Sequence, residues 1–235
     1  MKENSEKVVG ILGGMGPEAT VDIFQKILRF TNAKRDQDHL HIIIDNNPKI
    51  PDRTESIKSG DRKIVSALKE TAENIERAGA DFIIIPCNTA HYFLDEIKSA
   101  VKIPIINMIE ETVLKVYESR ISPVGILATI GTLQTGLYQK ELEKNDIPFI
   151  LPDPLSQEII MDAIINIKAG YDKKSIAKIL YRESKKLKKR GAKAFILGCT
   201  EIPLAFPFER INRPVFDAST ILARKAVDFA TVKTE

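Results

Sequence analysis

The chain has 235 residues, of which 43% are hydrophobic and 29% are charged, and its formal net charge is +3. This length allows one large α/β domain or two small ones with a sizeable core, and the small, scattered charge argues against nucleic-acid binding. Two cysteines are too few for a secreted disulfide framework, and the apolar run at residues 8–12 is far shorter than a signal-peptide core or a membrane span. We therefore expect a cytoplasmic protein with reduced thiols and no nucleic-acid or membrane partner.

Short apolar runs bounded by Gly, Pro and Asn alternate with longer amphipathic stretches, a pattern typical of βαβ units and a parallel sheet. The first run leads into Gly13-Gly14-Met15-Gly16, and Pro17 suits the first turn of the helix that follows. A polar segment at residues 46–60 is interpreted as a long loop, which in a compact domain is often functional. The first half thus contains predicted strands at residues 8–12, 41–44, 82–85 and 103–108 and later helices at 61–78 and 110–118.

The second half repeats the first. Residues 124–127 (Val-Gly-Ile-Leu) match residues 9–12, and a glycine follows at the same offset, Gly16 in one half and Gly131 in the other. A repeat of this size indicates two like domains rather than a solenoid. The basic run 182–190 falls on a predicted helix with an apolar opposite side, so it is interpreted as a solvated helix face. Predicted strands at 149–151, 195–197 and 214–216 and helices at 173–190 and 220–229 complete this half.

The two cysteines occupy the same place in their repeats. Cys87 follows Gly79 at the same spacing at which Cys199 follows Gly191, and a buried strand lies between glycine and cysteine in both. Ligands of open parallel sheets bind beyond the carboxyl ends of the strands, so the two thiols are expected to face one small molecule. Each cysteine is expected to stand at a helix N-terminus, which favours the thiolate. We predict an α/β fold of two similar four-stranded, mainly parallel domains related by a pseudo-two-fold axis, with the active site in the cleft between them.

Two opposed thiols can act as a matched base and acid. A thiolate removes a proton from a stereocentre and a thiol returns one from the other side, which is racemisation or epimerisation without a cofactor. Three other interpretations stay open: core cysteines with no chemical role, a zinc site formed with His91, and a disulfide across the cleft.

Two alternatives concern the function as a whole. Residues 14–19 fit a loose dinucleotide-binding pattern, and Asp45 follows a second strand, which would suggest an NAD-dependent dehydrogenase. That hypothesis explains neither the paired cysteines nor the repeat. The non-enzymatic alternative is a two-lobed amino-acid-binding sensor whose thiols are incidental.

The motifs around the cysteines resemble the aspartate/glutamate racemase superfamily. The resemblance rests on residues 86–91 (Pro-Cys-Asn-Thr-Ala-His), 198–201 (Gly-Cys-Thr-Glu) and 13–17 (Gly-Gly-Met-Gly-Pro) and extends along nearly the whole chain. Residues 46–48 (Asn-Asn-Pro) with 50–54 (Ile-Pro-Asp-Arg-Thr) are similar to aspartate racemases in particular.

This resemblance implies an isomerase, a PLP-independent amino-acid racemase that interconverts L- and D-aspartate by two-base proton transfer, with no cofactor and no metal. It also implies a homodimer and a discontinuous first domain, residues 1–106 plus 215–235, around a second domain, 107–214. Glutamate racemases usually carry His where this chain has Glu201, which argues against a glutamate racemase proper. A broad-range aspartate/glutamate racemase, a maleate isomerase and a hydantoin racemase share the twin-cysteine layout and remain alternatives.

Carried over by resemblance, Cys87 and Cys199 are the catalytic pair. Arg53 can hold a carboxylate with two hydrogen bonds, although alone it could be a surface side chain of a loop. Asn88 or Thr89 could serve only as a helix cap, and Lys168 could serve only to complement a helix dipole. The predicted substrate-binding residues are Met15, Asp52, Arg53, Thr54, Asn88, Thr89, Ala90, Thr129, Lys168, Thr200 and Glu201.

Overall fold

The structure, a computed structural model, describes residues 6–206 and 211–231 and contains two four-stranded sheets of the same topology. The first has the order β2-β1-β3-β4 and the second β6-β5-β7-β8, and every pairing is parallel. The predicted α/β fold of two similar four-stranded units is confirmed. The strands are β1 (Val9–Gly13), β2 (Ile42–Asn46), β3 (Phe82–Ile84), β4 (Ile105–Ile106), β5 (Val124–Ala128), β6 (Phe149–Ile150), β7 (Ala194–Gly198) and β8 (Val215–Asp217).

Helices cover both faces of each sheet, as parallel sheets require. The helices are α1 (Pro17–Phe30), α2 (Arg53–Ser59), α3 (Lys63–Arg77), α4 (Leu94–Lys98), α5 (Met108–Ser119), α6 (Ile130–Gln134), α7 (Leu137–Lys144), α8 (Pro154–Lys168), α9 (Lys173–Lys189), α10 (Ile202–Ala205) and α11 (Ala218–Thr231). Helices α3 and α4 pack on one face of the first sheet, and α1 and α11 on the other. Helices α8 and α9 cover one face of the second sheet, and α5 and α7 the other. No helix of the described ranges is long and apolar enough to cross a membrane.

The two halves exchange one helix each. Helix α5 follows β4 of the first sheet, yet its buried Ile109, Val113 and Val116 join the core of the second sheet, and only its first residue, Met108, packs in the core of the first. Helix α11 follows β8 of the second sheet, yet its buried residues pack with α1 and β1. The central strands β1 and β5 are fully buried, and the chain leaves the neighbouring strands β3 and β7 just before the two cysteines. The exact domain boundaries remain a prediction.

Three sequence-based expectations are wrong in detail. The segment 46–60 is not a continuous loop, because Asp52 caps α2 by accepting a hydrogen bond from the Glu55 N–H, and Gly60 ends it with φ 73°. The fourth strand is limited to Ile105–Ile106, because Asn107 already caps α5. Cys87 does not begin a regular α-helix, since a 3-10 turn over Thr89–Phe93 comes before the short α4.

Candidate functional site

Both cysteines line one cavity at the carboxyl ends of the two sheets. The thiols are free, and the cavity has a volume of about 20 Å³, enough for about one water molecule. The structure brings together all predicted site residues except one, and adds Met161. The lining side chains are Met15, Asp52, Arg53, Thr54, Cys87, Asn88, Thr89, Thr129, Met161, Lys168, Cys199, Thr200 and Glu201.

The loop that carries Cys87 is fixed by its own backbone and by His91. The Cys87 N–H donates to the Ile85 carbonyl at 2.8 Å. The Met108 N–H donates to Nε2 of His91 at 3.1 Å, so Nδ1 carries the proton and donates to the Cys87 carbonyl at 2.9 Å. Burial lowers the pKa of His91 to about 4, which keeps the ring neutral. Because both ring nitrogens are bound to backbone, His91 orients the cysteine loop and is not placed to be a zinc ligand.

The thiol of Cys199 is hydrogen-bonded to a buried carboxylate. Its Sγ donates to Oε2 of Glu201 at 3.1 Å, and the two residues are 4% and 3% exposed. Burial and the negative charge of Glu201 raise the pKa of Cys199 well above its ordinary value, while the positive charge of Lys168 partly opposes the shift. Cys199 is therefore a protonated thiol at rest. A helix N-terminus would favour the thiolate, but α10 is a single turn and burial has the larger effect on this pKa.

Glu201 also connects the two halves. Its Oε1 accepts a hydrogen bond from the Gly16 N–H at 3.0 Å and lies 3.7 Å from Nζ of Lys168. Burial is the largest single influence on the pKa of Lys168 and lowers it, but Glu201, Cys199 and Cys87 together raise the pKa above its ordinary value, so the lysine is a cation. Next to it, the Thr200 hydroxyl donates to the Pro86 carbonyl at 3.1 Å, which joins the two cysteine loops directly.

The Gly-rich turn before α1 does not behave as a dinucleotide-binding loop. Gly16 is the N-cap of α1, and Glu201 occupies the anion position there that a phosphate would take. Gly14 has φ 94°, and a Cβ on it would lie 2.3 Å from the Asn47 carbonyl carbon. The glycine is therefore needed for close packing against the segment after β2. Both observations argue against the NAD hypothesis.

Arg53 is a buried cation at the start of α2. Its side chain is 8% exposed, and its hydrogen bonds within the described ranges go to carbonyl oxygens. Nη1 donates to Ile50 at 3.4 Å and Pro51 at 3.0 Å, and Nη2 donates to Met15 at 3.3 Å. Because neutral carbonyls do not balance a buried charge, this guanidinium favours an anion in the cavity. The alternative of a surface arginine is wrong.

Asn88 lines the cavity and has an unpartnered donor. It is 2% exposed, its Oδ1 accepts a hydrogen bond from the Tyr138 hydroxyl at 2.6 Å, and its Nδ2 has no partner in the part of the chain that the structure describes. The Thr89 hydroxyl lies 2.9 Å from the hydroxyls of both Thr129 and Thr132. Neither Asn88 nor Thr89 therefore acts only as a helix cap.

The remaining predicted residues fall into two groups. Asp52 lies at the exposed rim, and Thr54 follows it in the first turn of α2. Ala90 does not line the cavity; it is fully buried in the core cluster that also contains Cys87.

Sequence reasoning missed Met161, although it stands two helical turns before Lys168 on α8, and that spacing places both side chains on one helix face. It also missed Tyr138, for which the sequence gives no local signal.

Removing the charge of Glu201 should lower the pKa of Cys199. In a Cys87→Ser background Cys199 is the only thiol, so ultraviolet absorbance of the thiolate during a pH titration reports it alone. We expect the midpoint of Cys87→Ser/Glu201→Gln to fall below that of Cys87→Ser, because a neutral amide no longer opposes the thiolate. Cys87→Ser/Glu158→Gln, which alters a carboxylate outside the cavity, is the control. An unchanged or higher midpoint would contradict this assignment.

The comparisons with known proteins agree with this geometry. A family model described as Asp/Glu/Hydantoin racemase matches residues 12–226. The solved structure of Picrophilus torridus aspartate racemase superimposes with a TM-score of 0.87 at 33% identity, covering 95% of this chain and 94% of that chain. The broad specificity amino-acid racemase RacX of Bacillus subtilis is 29% identical over 226 residues, 94% of this chain and 96% of RacX. The glutamate racemase of Aquifex pyrophilus is 31% identical over 157 residues, 63% of this chain and 56% of that protein. The chain therefore belongs to the Asp/Glu/Hydantoin racemase family.

Proposed function

We propose that the protein is a cofactor-independent racemase that interconverts L- and D-aspartate by proton transfer at Cα. The observation that carries the proposal is the shared cavity of Cys87 and Cys199, two thiols from equivalent loops of the two halves. The similarity to an aspartate racemase over nearly the whole chain supports the choice of substrate. We further propose that it acts as a homodimer, as the family resemblance implies.

The protonation of Cys199 defines the order of events for one enantiomer. Cys87, as the thiolate, takes the proton from Cα, and the electron pair left on Cα is delocalised into the neighbouring carboxylate. The thiol of Cys199 then gives its proton to the opposite face of Cα, which leaves Cys87 as thiol and Cys199 as thiolate. For the other enantiomer the roles exchange, and Glu201, already hydrogen-bonded to the sulfur, is placed to accept the Cys199 proton before the reaction.

The charges of the cavity complement an acidic amino acid. Arg53 is a buried cation whose hydrogen bonds in the described ranges go to carbonyl oxygens, and the more exposed Lys168 is a cation 3.7 Å from Glu201. Arg53 is therefore available to a carboxylate of the ligand. Aspartate, with two carboxylates and one ammonium group, carries one net negative charge. Arg53 can take one carboxylate in a bidentate contact, and the amide Nδ2 of Asn88 can donate to the carboxylate that gains charge when Cα is deprotonated.

Broader substrate range is the second candidate, because RacX aligns over almost its full length and is a broad specificity racemase. The cavity of about 20 Å³ is smaller than any amino acid, so its walls must move apart when a ligand binds. An enclosure that adapts in this way could accept the additional methylene of glutamate. One methylene changes specificity by only about 10- to 200-fold in most sites.

The test is racemisation of purified protein without added PLP. L- and D-aspartate, L- and D-glutamate, and L- and D-alanine are incubated separately and analysed by chiral chromatography. We expect kcat/KM for aspartate to exceed that for glutamate by about 10-fold or more and alanine to react very slowly, because it lacks the second carboxylate. Comparable rates for all three would favour the broad-range alternative. Ligand-induced thermal stabilisation with no interconversion of any amino acid would instead support the sensor hypothesis.

A further inference from the structure

Tyr138, on α7 of the second half, contacts both cysteine loops. Its ring packs against Gly198, the residue before Cys199: a Cβ on that glycine would lie 2.7 Å from Cε2 of the ring and 3.0 Å from the Ala128 Cβ. A side chain at position 198 therefore cannot fit unless the ring or the strand moves. The tyrosine ring sets how close the Cys199 loop can come to α7.

The hydroxyl of the same side chain reaches the other loop. It donates to Oδ1 of Asn88, the residue after Cys87, at 2.6 Å. Tyr138 is fully buried, and burial raises its pKa, so the hydroxyl keeps its proton and remains a donor at every working pH. In the structure this hydrogen bond holds the amide oxygen of Asn88 on the tyrosine side. The Nδ2 donor, which has no partner in the described ranges, is left for the cavity that Asn88 lines.

We propose that Tyr138 is a positioning residue for racemisation, because its ring supports the Cys199 loop while its hydroxyl orients the Asn88 amide toward the substrate carboxylate. This inference rests on the proposed function. It assigns a role to a residue that does not itself line the cavity. One rigid side chain thereby fixes the position of an acid and of a hydrogen-bond donor that come from opposite halves of the chain.

The test is a double-mutant cycle of Tyr138→Phe with Asn88→Ala, assayed for kcat and KM with aspartate. Tyr138→Phe keeps the ring against Gly198 and removes the hydroxyl, which contacts Asn88 and also interacts with the Thr112 side chain. We expect it to lower kcat by about 10-fold, less than the roughly 10²-fold loss from Asn88→Ala, which deletes the donor itself. KM should change much less than kcat, because the Asn88 amide mainly stabilises the negative charge that the substrate carboxylate gains when Cα is deprotonated. In the Asn88→Ala background, Tyr138→Phe should cause no further loss of kcat.

Tyr117→Phe, which removes an exposed hydroxyl from α5, is the matched control and should retain wild-type kcat. The proposal is overturned if Tyr138→Phe keeps kcat within twofold of wild type, or if it causes the same fold-loss in both backgrounds, as a purely structural residue would. A second variant does not depend on how Tyr138→Phe folds. Asn88→Asp keeps the acceptor for Tyr138 but lacks the donor, so it should lose kcat as Asn88→Ala does, and retained activity would also overturn the proposal. A wild-type protein that racemises nothing would reject the proposed function instead.

Discussion

Cys87→Ser and Cys199→Ser are each expected to lower kcat for aspartate racemisation by about 10³-fold, within the range that acid–base catalysis contributes. A hydroxyl is a far weaker acid than a thiol, and each direction of the reaction needs both groups. The two variants should differ in one respect, which is exchange of the α-hydrogen with D₂O followed by NMR. Each retains one thiol, so each should still exchange the hydrogen of a single enantiomer, and the enantiomer should be opposite in the two variants.

The melting temperatures of both variants serve as the folding control, since serine replaces sulfur with a slightly smaller atom in the same place. Racemisation at the wild-type rate in either variant would refute the two-base mechanism. Loss of exchange for both enantiomers in both variants would show that the thiols do not act on separate faces of Cα. Under the sensor hypothesis, ligand affinity would be intact in both variants and the wild type itself would not turn over.

Arg53→Lys is expected to lower kcat/KM for aspartate by about 10²-fold, because an ammonium group keeps the charge but cannot replace the two-pronged contact of a guanidinium with a carboxylate. The lysine would also lose the geometry that now places Nη1 and Nη2 on the carbonyls of Ile50, Pro51 and Met15. Steady-state kinetics with L- and D-aspartate measure the effect. A similar loss is expected for both enantiomers, since both carry the same carboxylates.

Arg62→Lys is the matched control for this substitution. Arg62 lies in the same region of the chain, is largely exposed, and pairs with Glu96 on the surface, where an ion pair contributes little. It should retain wild-type kcat/KM. If Arg53→Lys kept kcat/KM within about twofold of wild type, Arg53 would be a structural residue that holds the segment before α2 and not a substrate ligand.

The repeated pattern of apolar runs was sufficient to predict both sheets. A buried parallel strand is a short run of consecutive apolar residues, so it can be recognised from a few neighbouring positions in the sequence. The α2 helix also has a local signal, an Asp52 N-cap followed three residues later by Glu55. The polar composition of the segment hides this signal, because polar residues are typical of loops as well as of exposed helices. Local signals of this kind can be found in one sequence if capping residues are given more weight than polarity.

The state of Cys199 could not be predicted in the same way. Its pKa depends on burial and on the neighbouring Glu201 carboxylate, and the position of the cysteine in the sequence indicates neither the depth of burial nor the orientation of that carboxylate. The contact of Tyr138 with Asn88 joins residues far apart in the chain, so no spacing rule indicates it. Residue types and their order predicted which side chains meet, but not how charge and hydrogen bonds are divided among them.

Glu201 makes the two sides of the cleft unlike, because the residue at the matching place beyond Cys87 is Thr89. Mirror-image amino acids have the same free energy in water, so a racemase leaves equal amounts of both. The Haldane relationship then requires equal kcat/KM in the two directions. The carboxylate beside one sulfur can let one enantiomer bind more tightly and turn over more slowly, but it cannot bias the final mixture toward either hand.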